Sequence, residues 1–322
     1  MGPAIMRSCL NHLIFCTVLS LIYGPSASGV VKPEGYPWIR TNSPVTHIKI
    51  NSTGTWLAYS GEDGMGLTMM NIKTRELYEI TPHQIGPSWF WSPDGFRIFY
   101  REHLLNKKDE IYSRLKAWDR SIKKNVSLGE YNGSTGFLTF DPRDLRMKLM
   151  HESGIVSKRI RFPDERLAQW QIAHRNQKGR WVATQKAILW LTQKGLAIKR
   201  LDDDQTGIQS FDLSADGQMM VWATNAGNIF MCKDGEKSKK IAEGFDPAWH
   251  PDKSMIVYAF PRKVGHKTIN YDLKVLDITG KSRFLTQSQI SSERWPRWLP
   301  KGNKIVYTVE KTTDIYMMEW KL

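Results

Sequence analysis

Seven histidines follow residue 28 of this 322-residue chain: His47, His83, His103, His151, His174, His250 and His266. None stands at the close spacing by which one element presents a metal, so only loops converging from separate elements would bring two to one ion. Asp202-Asp203-Asp204 is the densest acidic run, and no EF-hand-like glycine spacing follows it. It reads as a solvated connection. There is no Gly-x-Ser-x-Gly nucleophile elbow. Cys232, in Ile229-Phe230-Met231-Cys232, reads as a small buried hydrophobe. Trp89, Trp91, Trp249, Trp295 and Trp298 would suit sugar stacking. Their place just before polar turns favours packing between sheets instead, with Trp295 the exception. The sequons at Asn51, Asn125 and Asn132 read as accidental. The expectation is no catalytic constellation, no metal and no cofactor.

What the chain does carry is positive charge. Lys and Arg outnumber Asp and Glu, for a net charge of +14. Such a balance favours acidic partners, and in an exported protein these are protein surfaces, anionic glycans or lipid head groups before nucleic acid. Export is read from residues 1–28. Arg7 gives a positive start, residues 13–22 an apolar core too short to span a bilayer, and Pro25 with Ser26-Ala27-Ser28 a cleavage region. Cleavage after Ser28 leaves Cys232 as the one mature cysteine, so no intramolecular disulfide is available. A short segment, 29–35, precedes the first strand.

The elements that must position these charges come from an internal repeat. Each copy has an apolar or aromatic strand, a tight polar turn and a second strand of bulky residues. Trp89-Phe90-Trp91-Ser92-Pro93-Asp94-Gly95 leads to Ile98-Phe99-Tyr100, and Phe211-Asp212-Leu213-Ser214-Ala215-Asp216-Gly217 leads to Met220-Val221-Trp222. Further copies turn at residues 253 and 302, and weaker ones at Thr53-Gly54, Arg143-Asp144 and Lys178-Gly179. Intervals of 35 to 49 residues suit four short strands each. The reading is all-β: a β-propeller of seven four-stranded blades over residues 36–322, or six if the copies at 143–144 and 178–179 merge. The last repeat stops at its third strand, while Tyr36-Pro37-Trp38-Ile39-Arg40 aligns with a fourth. The N-terminal strand is therefore expected to close the ring, with Pro37 tolerated on an outer edge.

The Pro-Asp-Gly turns preceded by Trp or Phe, and the run Leu276-Asp277-Ile278-Thr279-Gly280-Lys281-Ser282-Arg283-Phe284-Leu285-Thr286, resemble TolB-type, WD40-like repeats. The resemblance covers nearly all of 36–322, without the α/β domain that precedes the propeller in TolB. It implies a bacterial protein, periplasmic or secreted, that works as a non-enzymatic monomeric scaffold for an envelope protein or anionic glycan. Oligogalacturonate lyases are similar propellers with a divalent metal and His ligands, so the alternative is a metal-dependent lyase on an acidic glycan.

Two regions concentrate charge. Turns between third and fourth strands carry Lys73, Arg75, Arg120, Lys123, Lys124, Lys194, Lys237, Lys239, Lys240, Lys281 and Arg283, a basic rim on one face. On the opposite face, residues 101–110 and 261–271 read as long polar loops of blades 2 and 6. They bring His103, Lys107, Lys108, Arg262, Lys263, His266 and Lys267 together as two walls of a cationic binding groove.

Overall fold

The computed structural model describes residues 35–320 apart from 93, 133–134, 142–145, 152–153, 160–178, 184–187, 193–197 and 201–205. Residues 1–28, expected to direct export, the Asp202-Asp203-Asp204 run, Lys194, His174 and the turn at 143–144 lie outside the described residues.

Strand β1 (Tyr36–Arg40) precedes a first meander of β2 (Val45–Ile50), β3 (Trp56–Gly61), β4 (Met65–Asn71) and β5 (Leu77–Gln84). The second meander is β6 (Phe90–Trp91), β7 (Arg97–Leu105), β8 (Ile111–Asp119) and β9 (Lys124–Asn132). Three strands are described in each of the next two: β10 (Thr135–Asp141), β11 (Arg146–His151) and β12 (Gly154–Arg159), then β13 (Gly179–Ala183), β14 (Ile188–Thr192) and β15 (Ile198–Arg200). The fifth is β16 (Ile208–Leu213), β17 (Met219–Thr224), β18 (Asn228–Lys233) and β19 (Lys239–Glu243). The sixth is β20 (Phe245–Trp249), β21 (Met255–Val264), β22 (Lys267–Asp277) and β23 (Ser282–Phe284). The chain ends on β24 (Glu293–Trp298), β25 (Lys304–Val309) and β26 (Asp314–Glu319).

Every sheet is antiparallel, and the architecture is an all-β propeller in which each meander is a blade. The first two meanders join through the single pair Gln84–His103. In the two weakly repeating segments the described strands β10–β12 and β13–β15 belong to separate sheets.

The strong turns share one chemistry. In Ser92–Arg97 the Ser92 carbonyl accepts from Gly95 N–H at 2.8 Å, and Ser92 N–H donates to the Arg97 carbonyl at 2.8 Å. Asp94 Oδ1 accepts from the Ser92 hydroxyl and from Phe96 N–H, and Ser92 Oγ accepts from Arg97 N–H. Gly95 sits at φ 70°, where a Cβ is disfavoured. Ser214, Asp216 and Gly217 repeat the arrangement. Asn51 fills the serine's place in the first blade, accepting from Thr55 and Trp56 N–H. It is buried, so this sequon is a turn residue.

The core lies between blades. Second strands such as Leu57–Ser60, Ile98–Arg101 and Ile256–Ala259 are buried along consecutive residues, because neighbours cover both faces. One apolar cluster joins Trp181, Ile188 and Trp190 to Met220, Trp222 and Cys232 across the fourth and fifth blades. Another joins Val221, Ala223 and Ile229 to Trp249, Ile256 and Tyr258 across the fifth and sixth. Cys232 thus behaves as the hydrophobe expected of it. Trp89, Trp249 and Trp298 are buried in such clusters.

At the meeting of first and last blades, β1 pairs with β26 as the outermost strand of the last sheet: Tyr36 faces Met317 and Arg40 faces Asp314. Ile39 is buried with Val45, Ile48 and Leu57 of the first blade and Val306, Ile315 and Met317 of the last. Removing Tyr36–Arg40 is therefore expected to expose both blades and lower the melting temperature by more than about 10 °C. Ile39→Ala alone removes a buried side chain worth about 2–4 kcal/mol, or several degrees for a chain of this size. Thermal unfolding by circular dichroism measures both, and a truncated protein melting like the parent would show that β1 is dispensable.

Candidate functional site

The first strands of neighbouring blades approach one another around the propeller axis: β2 lies beside β24, β24 beside β20, and β20 beside β16. Each breaks register once, between Val45 and His47, Ile208 and Ser210, Phe245 and Ala248, and Arg294 and Arg297. A bulge re-aims side chains that a flat strand would commit to its own sheet. Two non-glycine residues in these segments hold left-handed backbone, Asp246 at φ 54° and Trp295 at φ 53°. Such conformations persist only where their surroundings enforce them.

The result is an arc of charge on the axial wall. Asp246, fully buried, accepts from Arg294 Nε at 2.6 Å, from Gln209 Nε2 at 2.6 Å and from Trp295 N–H at 3.3 Å. Arg294 also donates to Glu310 at 3.1 Å. Arg297 donates to backbone carbonyls, that of Pro296 at 2.8 Å and that of Asp246 at 3.5 Å. Lys49 donates to the Trp89 carbonyl, its ammonium 5.1 Å from the Trp89 ring centre. Asp212 accepts from Trp249 N–H at 2.8 Å. The His47 ring lies 4.0 Å from that of Trp295, and its Nδ1 is 3.2 Å from Ser60 Oγ.

Asp246 is fully buried, while His47, Lys49, Asp212, Arg294 and Arg297 are partly buried. Burial lowers the His47 pKa to about 3; Lys49, Arg297 and Arg294 add to the effect, and Asp246 opposes it. Burial and the Arg297 charge bring Lys49 down to about 7, against the pull of Asp212. Asp212 is raised by burial, which outweighs Arg297 and Lys49. For Asp246 burial acts upward too, but the charge and hydrogen bond of Arg294 hold the carboxyl below its ordinary value. The site can therefore present cationic donors, Arg297 and Lys49, to an incoming oxyanion. Among the described residues no group of three His, Cys, Asp or Glu side chains is arranged to hold a metal.

The structure places the sequence-predicted residues elsewhere and corrects their setting. Residues 101–110 and 261–271 are not loops: β7 and β8 run nine residues each, and β21 and β22 ten and eleven, against six in β25 and β26. The turns are short because paired backbone extends almost to the tips; Leu105 faces Ile111 and Val264 faces Lys267. His103 is half-buried within β7, and burial and Arg101 lower its pKa to about 4. Lys107, Lys108, His266 and Lys267 are exposed at or beside the two tips. Arg262 is paired with buried Asp272 at 2.9 Å, and Lys263 lies 3.6 Å from Glu243. The hairpins belong to separate blades, and no described contact brings their predicted residues together.

The arginines of the basic rim are spent on aromatic rings. The Arg75 guanidinium lies 5.1 Å from the Trp38 ring centre, Arg120 4.4 Å from Phe96 and 5.0 Å from Trp56, and Arg283 4.4 Å from Trp320. Three of these contacts cross from one blade to the next. Sequence reading missed the axial arc, although Asp246-Pro247 and Trp295-Pro296 mark two of its four bulges.

No family model matches the sequence, and no curated protein matches it. Solved structures do resemble its fold. The β-propeller domain of Myceliophteria thermophila Cps50 (Swd1) is 13% identical, with a TM-score of 0.61 over 90% of this chain and 100% of that one. TolB from Acinetobacter baumannii is 16% identical, with a TM-score of 0.52 over 80% of this chain and 57% of that one. The RRP9 WD40 repeats are 9% identical, with a TM-score of 0.57 over 89% and 98%. At such identities the likeness establishes the propeller and leaves the site to its own geometry.

The His47 shift sets a pH dependence. Between pH 6.5 and about 3 the unfolded chain binds a proton at His47 that the folded one does not, so stability falls as pH falls through that window. His103 acts in the same direction between 6.5 and about 4. His47→Gln is expected to remove on the order of 2 kcal/mol of this decline. Denaturant unfolding at pH 7, 5.5 and 4 measures it, and equal slopes in parent and variant would refute it.

Proposed function

We propose that this protein is an exported, non-enzymatic propeller of the cell envelope that binds a partner protein at the mouth of its axial channel. The observation that carries the reading is the arc on β2, β16, β20 and β24. Arg294 is satisfied by Asp246 and Glu310, while Arg297 and Lys49 have mainly backbone carbonyls for partners and Asp212 as the nearby opposite charge. An acidic side chain or chain-terminal carboxylate of a partner suits that vacancy of countercharge. Trp295, held out of regular strand geometry beside His47, offers it a flat apolar flank. The resemblance of the repeats to TolB-type propellers and the short apolar segment at residues 13–22 support export. The hairpins of blades 2 and 6, with His103, Lys107, Lys108, Arg262, Lys263, His266 and Lys267, stand on the face that carries the turns between second and third strands, and form an outer contact zone.

Charge-assisted hydrogen bonds in such a site contribute about 1.5–3 kcal/mol each. Arg297→Ala and Lys49→Met are each expected to weaken capture of the partner from a native envelope extract by roughly 10-fold or more. Both should leave the fold intact by circular dichroism. The comparison is immobilised parent against each variant, with bound proteins quantified by mass spectrometry. Equal capture by folded variants would move the binding site off the axis.

A further inference from the structure

The sixth-blade hairpin differs from its counterpart in the second blade at the tip. In the second blade Lys107 and Lys108 are followed directly by Asp109 and Glu110, so that tip neutralises itself. From Arg262 to Tyr271 there is no carboxylate at all: the run is Arg262-Lys263-Val264-Gly265-His266-Lys267-Thr268-Ile269-Asn270-Tyr271. Within it Val264, paired with Lys267 in the ladder, is 66% exposed, and Ile269, the extra residue at the bulge between Arg262 and Lys263, is 51% exposed. Ile290, 64% exposed, lies in the connection that follows the same blade. That connection is tied to the hairpin base: Asn270 donates to the Ser288 carbonyl at 2.8 Å, and Ser288 N–H donates to Asp272 at 2.9 Å. Arg262 on Asp272 completes the anchor. A stiff base thus presents a basic, aliphatic end several residues, or about 10 Å, beyond the six-residue strands of other blades.

We propose that the tip of the β21–β22 hairpin seats in the interfacial layer of an anionic lipid bilayer, with Val264 and Ile269 entering the acyl boundary and Lys263, His266 and Lys267 among the lipid phosphates. Charge complementarity alone would also suit an acidic glycan or protein. A polysaccharide, however, offers no apolar interior to two exposed aliphatics flanked by cations, whereas a bilayer interface supplies both environments within one side chain's length. The proposal goes beyond partner binding at the axis and does not depend on it.

The test is sedimentation with vesicles of phosphatidylcholine alone or with 30 mol% phosphatidylglycerol, using residues 29–322. Binding is expected only to the anionic vesicles. Val264→Ser with Ile269→Ser, which keeps the charge, should weaken it by about 10-fold, and Lys263→Gln with Lys267→Gln by about 25-fold, at about fivefold per lysine. Val264→Trp should give a blue-shifted emission component on vesicle addition. Lys107→Gln with Lys108→Gln should change little, and Arg297→Ala should bind vesicles like the parent even if partner capture is lost. No binding to anionic vesicles overturns the proposal. So does binding that survives the serine pair, since the contact would then be electrostatic only, as with any acidic polymer.

Discussion

The structure depends on burial between blades rather than within them. A four-stranded sheet has two faces, and here both carry apolar residues, so a single blade in isolation would leave its second strand exposed on either side. Each blade is therefore stabilised by its neighbours, in the manner of repeat proteins whose energy is a sum of adjoining interfaces. A chain of such units has two terminal faces to cover. In this molecule the last blade takes its outermost strand from the N-terminus, and Ile39 reaches the cluster shared by the first and last blades. At the rim, cationic side chains lie on aromatic rings of the next blade, each worth about 0.5–2 kcal/mol depending on how far the ring excludes water. They act at the edge, where apolar packing thins out.

The same arrangement creates the axial environment. First strands of adjacent blades lie side by side and bring charges from four blades together where burial is high. Left alone, each charge would be costly there. Asp246 resolves part of this by collecting Arg294, Gln209 and a backbone N–H, and its carboxyl stays ionised despite burial. Lys49 and Arg297 are compensated less completely, and the low pKa of Lys49 is the measure of it. An oxyanion arriving at the arc would stabilise the ammonium form of Lys49, so binding and proton uptake at that residue are linked.

Much of the fold was legible because the turn chemistry is local. Ser-x-Asp-Gly specifies a turn through side chains that bond to their own backbone, and the fourth-strand pattern of Tyr36–Arg40 pointed to its pairing with the last strand. The axial arc was not legible, since it depends on register. The register shift between Arg294 and Arg297 lets both reach Asp246, and composition is blind to that. The hairpins of blades 2 and 6 were misread as loops for a related reason. Lys, His and Asn are common in loops, but projecting strands are solvated on both faces and take the same residues while the ladder supplies their backbone partners. Asn51 shows the converse: a surface sequon by pattern is a buried turn residue by structure.

The excess of positive charge also reads differently once each cation's surroundings are known. As a total it favours acidic partners in general and selects none. Arg75, Arg120 and Arg283 are engaged with rings, Arg262 and Arg294 with buried carboxylates, and Lys263 lies within reach of Glu243. A cation held by a ring or a buried carboxylate contributes to the long-range field but has fewer donors to offer a ligand. Among the described residues, the axial wall, at Lys49 and Arg297, and the tip of the sixth-blade hairpin are two places where cations stand close together without a carboxylate of their own strand beside them. Specificity in this protein follows from where countercharge is missing, not from how much positive charge there is.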